Sequence, residues 1–338
     1  MIASDFHPLS DPKVCADVRN AAKVWCARAR SLRCCDALPE QTVAELRQLD
    51  LFRILQEPDV NWPTICEVAR LAAQACPSTG WILVNCIGHS LIADRFPAAL
   101  SRQIFLPKTA PVIATAMAAP DVNMTDHADG SLSISGCFVN SSGIDHADWV
   151  LLKLPAGPNG QPRYVPCKSD RISLRRTWNS SGLMSSGTHS FSVNLSVAKD
   201  EIAAWEPCLK GHRLTHDTQM NYLRSVPLVA YLGTSLIAPI LGCAEALFRE
   251  QERLIVSRTR NVTLETAPVL TALGESAMEL ATAQLIYRDL LAWLHDKGSK
   301  GLCCTNRMRD SSRESSVIAG PHEQTYTPDL QDQELADL

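Results

Sequence analysis

The hydrophobic period of this chain changes twice, and that limits what it can fold into. Up to about residue 108 apolar residues recur at helical spacing. Pro39 sits where a first helical turn tolerates a missing amide donor, and Val43, Leu46, Leu49 and Phe52 follow three or four apart. Ile65, Val68, Ala69, Ala72 and Ala73 mark a second helix ending near Cys76-Pro77. Ser78 or Thr79 is placed to cap a third that starts with Trp81. From Val112 to about Val197 the pattern becomes short runs rich in Val, Ile, Leu, Ser and Thr. Asp129-Gly130, Gly157-Pro158-Asn159-Gly160 and Ser180-Ser181-Gly182 break them. Leu132, Ile134, Trp149 and Leu151, with their alternating neighbours, read as strands half-buried against a second layer.

Helical periodicity returns from Tyr222 to about Arg260 and again from Pro268 to His295, as two long antiparallel helices of a bundle. Trp205 to Thr218 reads as a connecting loop. The expected class is α+β, with an N-terminal helical domain over 1–108, a middle β barrel or sandwich over 109–203 and a C-terminal helical bundle over 204–296. Beyond Lys297 the composition is polar and aperiodic, which predicts a disordered tail over 297–338. Val226 to Ala244 holds no charge over a length that spans a bilayer. Pro227, Gly233, Pro239 and Gly242 interrupt it and Glu245, Arg249 and Glu250 continue its phase, so it reads as a helix buried at the centre of the bundle.

At 338 residues the chain is long enough for two or three domains, and a net charge of -4 with mixed signs offers no basic footprint for nucleic acid or anionic lipid. The first residues carry no basic segment followed by an apolar one, which points to the cytosol. The thirteen cysteines scatter through the chain and read as free thiols. The adjacent pairs Cys34-Cys35 and Cys303-Cys304 lack the spacer of a zinc or redox pair, so no metal is expected.

The densest chemical signal is Ser135 to Val150, where a strand enters the turn Ser141-Ser142-Gly143 and Ile144-Asp145-His146-Ala147-Asp148-Trp149 leads out of it. Upstream stands Pro77-Ser78-Thr79-Gly80-Trp81, with His89 eight residues after Trp81. Downstream, Trp178 is followed by Gly182-Leu183-Met184-Ser185-Ser186-Gly187-Thr188-His189. From about Ala27 to His295 the chain resembles the acyl-CoA dehydrogenase fold, and more narrowly the oxygenase components of two-component flavin monooxygenases.

The resemblance implies a protein that takes reduced FMN or FAD from a separate NAD(P)H-dependent flavin reductase. It would hydroxylate a phenol, a polycyclic aromatic or a polyketide intermediate through a C4a-hydroperoxyflavin, as a homotetramer. Such chemistry needs a dry pocket and a hydrogen bond near flavin N5. Ser142 matches the family serine near N5, with Ser141 beside it, and Gly143 is expected to let the backbone approach the ring. His89 matches a histidine facing flavin and substrate as proton donor or acceptor, and Trp81 a tryptophan packed at the flavin. Ser186, Thr188 and His189 are expected to contact the cofactor or order its loop. Arg258 and Arg260 are the arginines expected to meet a flavin phosphate.

Each signal also has a plain structural reading: a strand-end turn, a helix histidine, a core tryptophan, a solvated helix face. The chain departs from the pattern at Met184, where arginine is usual, at Ser185, where glycine is usual, and at Asp121 to Asn123, where a glycine is missing. The family's further C-terminal helices are not visible after His295. Two other readings follow: a non-catalytic binding or accessory protein on this scaffold, and an acyl-CoA dehydrogenase or oxidase. For the latter, Glu275 and Glu279 have the spacing of a helix face rather than of a catalytic base.

Overall fold

The computed structural model describes residues 7–31, 35–106, 109–116, 118–156, 162–210, 221–258 and 267–301. Five helices come first: α1 (Pro12–Ser31), α2 (Glu40–Gln48), α3 (Trp62–Ala75), α4 (Pro77–Asp94) and α5 (Ala98–Phe105). Asn61 caps α3 by accepting the Thr64 amide. The start of α4 differs from expectation. Cys76 is its N-cap and Pro77 its first residue, so Ser78 and Thr79 lie inside the helix instead of capping it. Proline fits there because its missing N–H is one of the unpaired first-turn donors.

The described residues then form the strands β1 (Ile113–Ala116), β2 (Ala118–Asp126), β3 (Leu132–Ser141), β4 (Trp149–Leu154), β5 (Arg163–Lys168), β6 (Ser173–Arg175), β7 (His189–Val197) and β8 (Ala203–Ala204). They form two four-stranded sheets, ordered β1-β4-β5-β8 and β2-β3-β7-β6. Among the described residues only the β1–β4 pairing is parallel; the others are antiparallel. Between the sheets Phe138 and Phe191 stack with ring centroids 5.3 Å apart, among Leu132, Ile134, Val150, Leu152 and Val165. β4 is buried on both faces, not half-buried. Val150 and Leu152 join the inter-sheet core, whereas Trp149 and Leu151 join the helical core, because this sheet lies between the second sheet and the helices.

The chain then forms α6 (Trp205–Lys210), inside the stretch expected to be a loop, and α7 (Leu228–Ser235), α8 (Ile237–Arg258) and α9 (Ala267–Ser299). α7 and α8 are separated by the single residue Leu236. The helix at the centre of the bundle is α3, not the uncharged stretch after Val226. Twelve of the fourteen α3 residues are buried, whereas Val229 and Ile240 are mostly exposed. Leu228–Arg258 has the length and apolarity of a membrane span, and half of its most apolar window is buried within the fold. α3 and α8 are joined by an enclosed charge cluster: Arg70 pairs with Glu67 and Glu245, and Gln74 and Gln284 also donate to Glu245. The described cysteines are free, and burial pushes the thiols of Cys15, Cys66 and Cys86 up to about 12. A disordered tail was expected from 297, but α9 continues to Ser299, because its helical hydrogen bonding carries on past the last apolar position; residues 302–338 of the expected tail lie outside the described residues.

Candidate functional site

The turn at the end of β3 is held by two left-handed residues, Asn140 at φ 59° and Gly143 at φ 72°. Gly143 donates its amide to the Ser186 carbonyl at 2.8 Å, which locks the turn to the loop preceding β7. A Cβ on Gly143 would come within 3.2 Å of the Ile82 side chain. Glycine is therefore favoured here for its φ and for the approach of α4, whose Ile82 and Cys86 are the side chains an added Cβ would meet.

Ser141, the last residue of β3, and Ser142, the first of the turn, have different surroundings. Ser141 is fully buried and donates to the Thr115 carbonyl on β1, so this residue, expected at the cofactor, ties two strands together. Ser142 is partly exposed. The Trp81 indole Nε1–H donates to it at 3.1 Å, and its Oγ lies 2.9 Å from Thr188 Oγ1. Thr188 Oγ1 is in turn 2.7 Å from Ser186 Oγ, a fully buried hydroxyl. Four of the expected residues thus form one chain of polar groups: Trp81, Ser142, Thr188 and Ser186.

His89 lies on the face of α4 that also carries Trp81 and Asn85, each four residues from the next and all partly exposed between buried neighbours. Two turns of helix separate Trp81 from His89, about 12 Å along the axis. Asn85 donates to the Trp81 carbonyl at 2.7 Å. It was missed in the sequence, where its place halfway between Trp81 and His89 was the available signal. His89 Nδ1 is 2.8 Å from the Ile113 carbonyl, so Nδ1 carries the proton and Nε2 keeps its lone pair. Atoms packed around the ring penalise its charge: burial pushes the imidazole down to about 4, against a smaller raising effect of the Ile113 hydrogen bond. Near neutrality His89 is an acceptor at Nε2, and of the two roles expected for it only that one fits.

His189, also expected at the cofactor, is fully enclosed. Its Nδ1 accepts the amides of Thr177 and Trp178, both at 3.0 Å, and its Nε2 faces Asp145 Oδ2 at 3.3 Å. Arg176 pairs with Asp145 at 2.7 Å and with Asp36 at 3.0 Å. This cluster of Asp36, Asp145, Arg176 and His189 clamps the loop that carries Ser186 and Thr188. Gly187, at φ 54°, donates to the Asp36 carbonyl at 2.9 Å, and a Cβ there would collide with the Asp145 carboxylate. The rest of the Ile144–Trp149 motif is also anchoring. His146 donates to the Leu38 carbonyl at 2.8 Å, while Asp148 accepts the Val112 amide at 2.7 Å and Arg47 at 2.9 Å. Asp36, Arg176 and Arg47 had no signal in sequence, because charges scattered over 140 positions meet only in the fold.

Arg258 is exposed at the last position of α8, and no hydrogen bond or ion pair among the described residues joins it to the polar chain. Arg260 lies outside the described residues. A cavity of about 500 Å³ borders the 181–185 loop, lined by residues including Trp25, Arg28, Thr42, Ser78, Thr79 and Leu183. Neither Ser142 nor His89 lines it, so it is separate from the polar chain. Glu275 and Glu279 are exposed, and the enclosed Glu245 is fully engaged by Arg70 and two glutamines. None of the three has the setting of a free carboxylate base.

No family model matches the chain. The p-hydroxyphenylacetate 3-hydroxylase oxygenase component of Acinetobacter baumannii is 24% identical over 270 residues, covering 74% of this chain and 62% of the relative. The HsaA monooxygenase from M. tuberculosis superimposes with a TM-score of 0.77 at 20% identity, over 90% of this chain and 81% of the other. The chain is similar in sequence to flavin-dependent oxygenase components and shares the fold of the solved ones. XiaF from Streptomyces sp., solved in complex with FADH2 and glycerol, superimposes with a TM-score of 0.76 at 19% identity, over 87% of this chain and 77% of the other. The chain spans about half to three-fifths of the length of the curated relatives it matches.

Proposed function

We propose that the chain is the oxygenase component of a two-component flavin monooxygenase. It would receive reduced FMN or FAD from a separate NAD(P)H-dependent reductase and hydroxylate an aromatic or polyketide-type small molecule in the cytoplasm. The observation that carries this reading is the hydroxyl of half-buried Ser142 held by the Trp81 indole, at the end of the α4 face that presents Asn85 and His89. That face is polar and partly open while its flanks are packed, which suits a flat aromatic ring system whose edge carries hydrogen-bonding atoms.

When bound, the flavin would supply the activation of dioxygen. Ser142 would meet it near N5, with Trp81 beside the ring and Gly143, Ser141, Ser186, Thr188 and His189 supporting the turn behind. His89, neutral above about pH 4, would take a proton at Nε2 from a substrate hydroxyl while Nδ1–H stays on the Ile113 carbonyl. Arg258 and Arg260 are proposed for a flavin phosphate in an assembled homotetramer. The exposed apolar side chains of Ile240 and Leu247 on α8 and of Met278 and Leu285 on α9 support association through the bundle. We assign the three domains to 1–108, 109–203 and 204–296.

The test is anaerobic titration of the purified chain with chemically reduced FMN and FAD, followed by rapid mixing with oxygen. Tight binding of a reduced flavin, with a transient absorbance that free flavin does not give, is the expected result. No binding of either flavin would favour a non-catalytic scaffold. Bound oxidised flavin that an acyl-CoA reduces would favour a dehydrogenase.

A further inference from the structure

The cavity of about 500 Å³ beside the 181–185 loop meets the first turn of α4, where polar groups are left over. The N-cap, Cys76, supplies no side-chain hydrogen bond, and the first helical residue, Pro77, has no amide proton. The first backbone bond of α4 runs from the Gly80 amide to the Cys76 carbonyl, so among the described residues the amides of Ser78 and Thr79 have no partner. Their side chains supply an independent observation. Ser78 and Thr79 are only 5% and 1% exposed and both line the cavity, yet neither hydroxyl makes a hydrogen bond among the described residues. Hydroxyls so enclosed are ordinarily bonded. By contrast, Thr42 and Ser185 in the same wall are engaged, by Arg28 and by the Cys35 carbonyl.

Charge and shape fix the class of ligand. Four unclaimed donors stand together at the positive end of the α4 dipole, which suits an anion with about four lone-pair sites, as a carboxylate has. Arg28 is the only charged side chain among the described residues of the wall, and Glu45 balances it at 2.8 Å. A doubly charged phosphate would therefore lack countercharge. Trp25, Leu38, Pro39, Leu183 and Met184 give the wall its apolar part. We infer that this cavity is a second ligand site that takes an organic monocarboxylate, its carboxylate on Ser78 and Thr79 and its apolar body among these side chains. The inference stands without the flavin reading, because neither Ser142 nor His89 lines the cavity.

Calorimetric titration of the full chain with benzoate, 2-naphthoate and octanoate, each paired with its primary amide, tests this. In at least one pair the carboxylate should bind about tenfold more tightly than the amide. Equal affinities in all three pairs would overturn the inference, and so would inorganic phosphate binding as tightly as the best carboxylate. Ser78→Ala and Thr79→Val should each weaken carboxylate binding about fivefold and leave amide binding unchanged, whereas Thr79→Ser should bind as the wild type does. Carboxylate affinity unaltered in both hydroxyl-free variants would place the ligand elsewhere. His89→Asn, further along α4, should keep full carboxylate affinity; a loss there would put the ligand on the proposed flavin face and remove the second site. Stability separates binding from a structural role. Thr79→Val deletes an unpartnered buried hydroxyl at nearly constant shape, so its urea midpoint should equal or exceed that of the wild type. A clearly lower midpoint would mean that the hydroxyl already serves the fold, and would overturn its assignment to a ligand.

Discussion

The Trp81 indole donates to the Ser142 hydroxyl across a sequence separation of 61 residues, at 3.1 Å. It joins the second turn of a helix to the tip of a strand-end turn, and both partners keep some contact with solvent. Because the bond is shared, its two ends should not act independently. Trp81→Phe and Ser142→Ala are each expected to weaken FMN binding about fivefold, and the double variant should lose little more than Ser142→Ala alone. Fluorescence titration of the four proteins checks this; losses that multiply would mean that the two residues contact the ligand separately.

His89 gives the free protein a defined pH response. Its ordinary value of 6.5 is depressed to about 4 in the folded state by burial. The unfolded chain therefore binds more protons than the folded one between these limits. Stability attributable to His89 is complete above about pH 6.5 and is lost as the pH falls towards 4, by on the order of 3 kcal/mol. In His89→Asn, urea midpoints measured at pH 7 and pH 4.5 should lie closer together than in the wild type. An unchanged difference would place the acid sensitivity on other buried histidines, such as His7.

Gly143→Ala should cost about 1–2 kcal/mol of stability, from a left-handed φ that disfavours a side chain and from a Cβ 3.2 Å from Ile82. Urea unfolding reads the loss directly. Ile82→Ala should couple favourably with it in a double-mutant cycle, since it removes the Ile82 Cγ2 that the new Cβ would meet without altering the φ.

Arg70 stands between two buried carboxylates, Glu67 and Glu245. Arg70→Met should destabilise by about 3–5 kcal/mol because it strands both charges, more than the cluster itself contributes. Adding Glu67→Gln and Glu245→Gln should recover much of the loss. A triple variant no more stable than Arg70→Met would show that packing, not charge, dominates between α3 and α8.

Two switches of hydrophobic period were enough to read helices, then strands, then helices, because periods of 3.6 and 2 reflect geometry local to each element. The Trp81 and Ser142 signals were legible for a related reason: a polar turn of fixed φ and a helix face spaced by four are both written in adjacent residues. What the residues could not say was which hydroxyl faces outward and which is enclosed. Ser141, Ser186 and His189 read the same as Ser142 and Thr188 in one dimension, yet the sheets and α4 turn the first three inward. The helix at the centre was misplaced for the same reason. An apolar run states that a segment seeks burial, but only packing decides that α3 is surrounded while α8 keeps an exposed apolar face. Asp36, Asp145, Arg176 and His189 are separated by up to 153 positions, and they become one clamp only after tertiary contacts bring their charges within Coulomb range. Local pattern thus determined the elements and their order, while the polarity of the site and its electrostatic anchoring came from long-range contact.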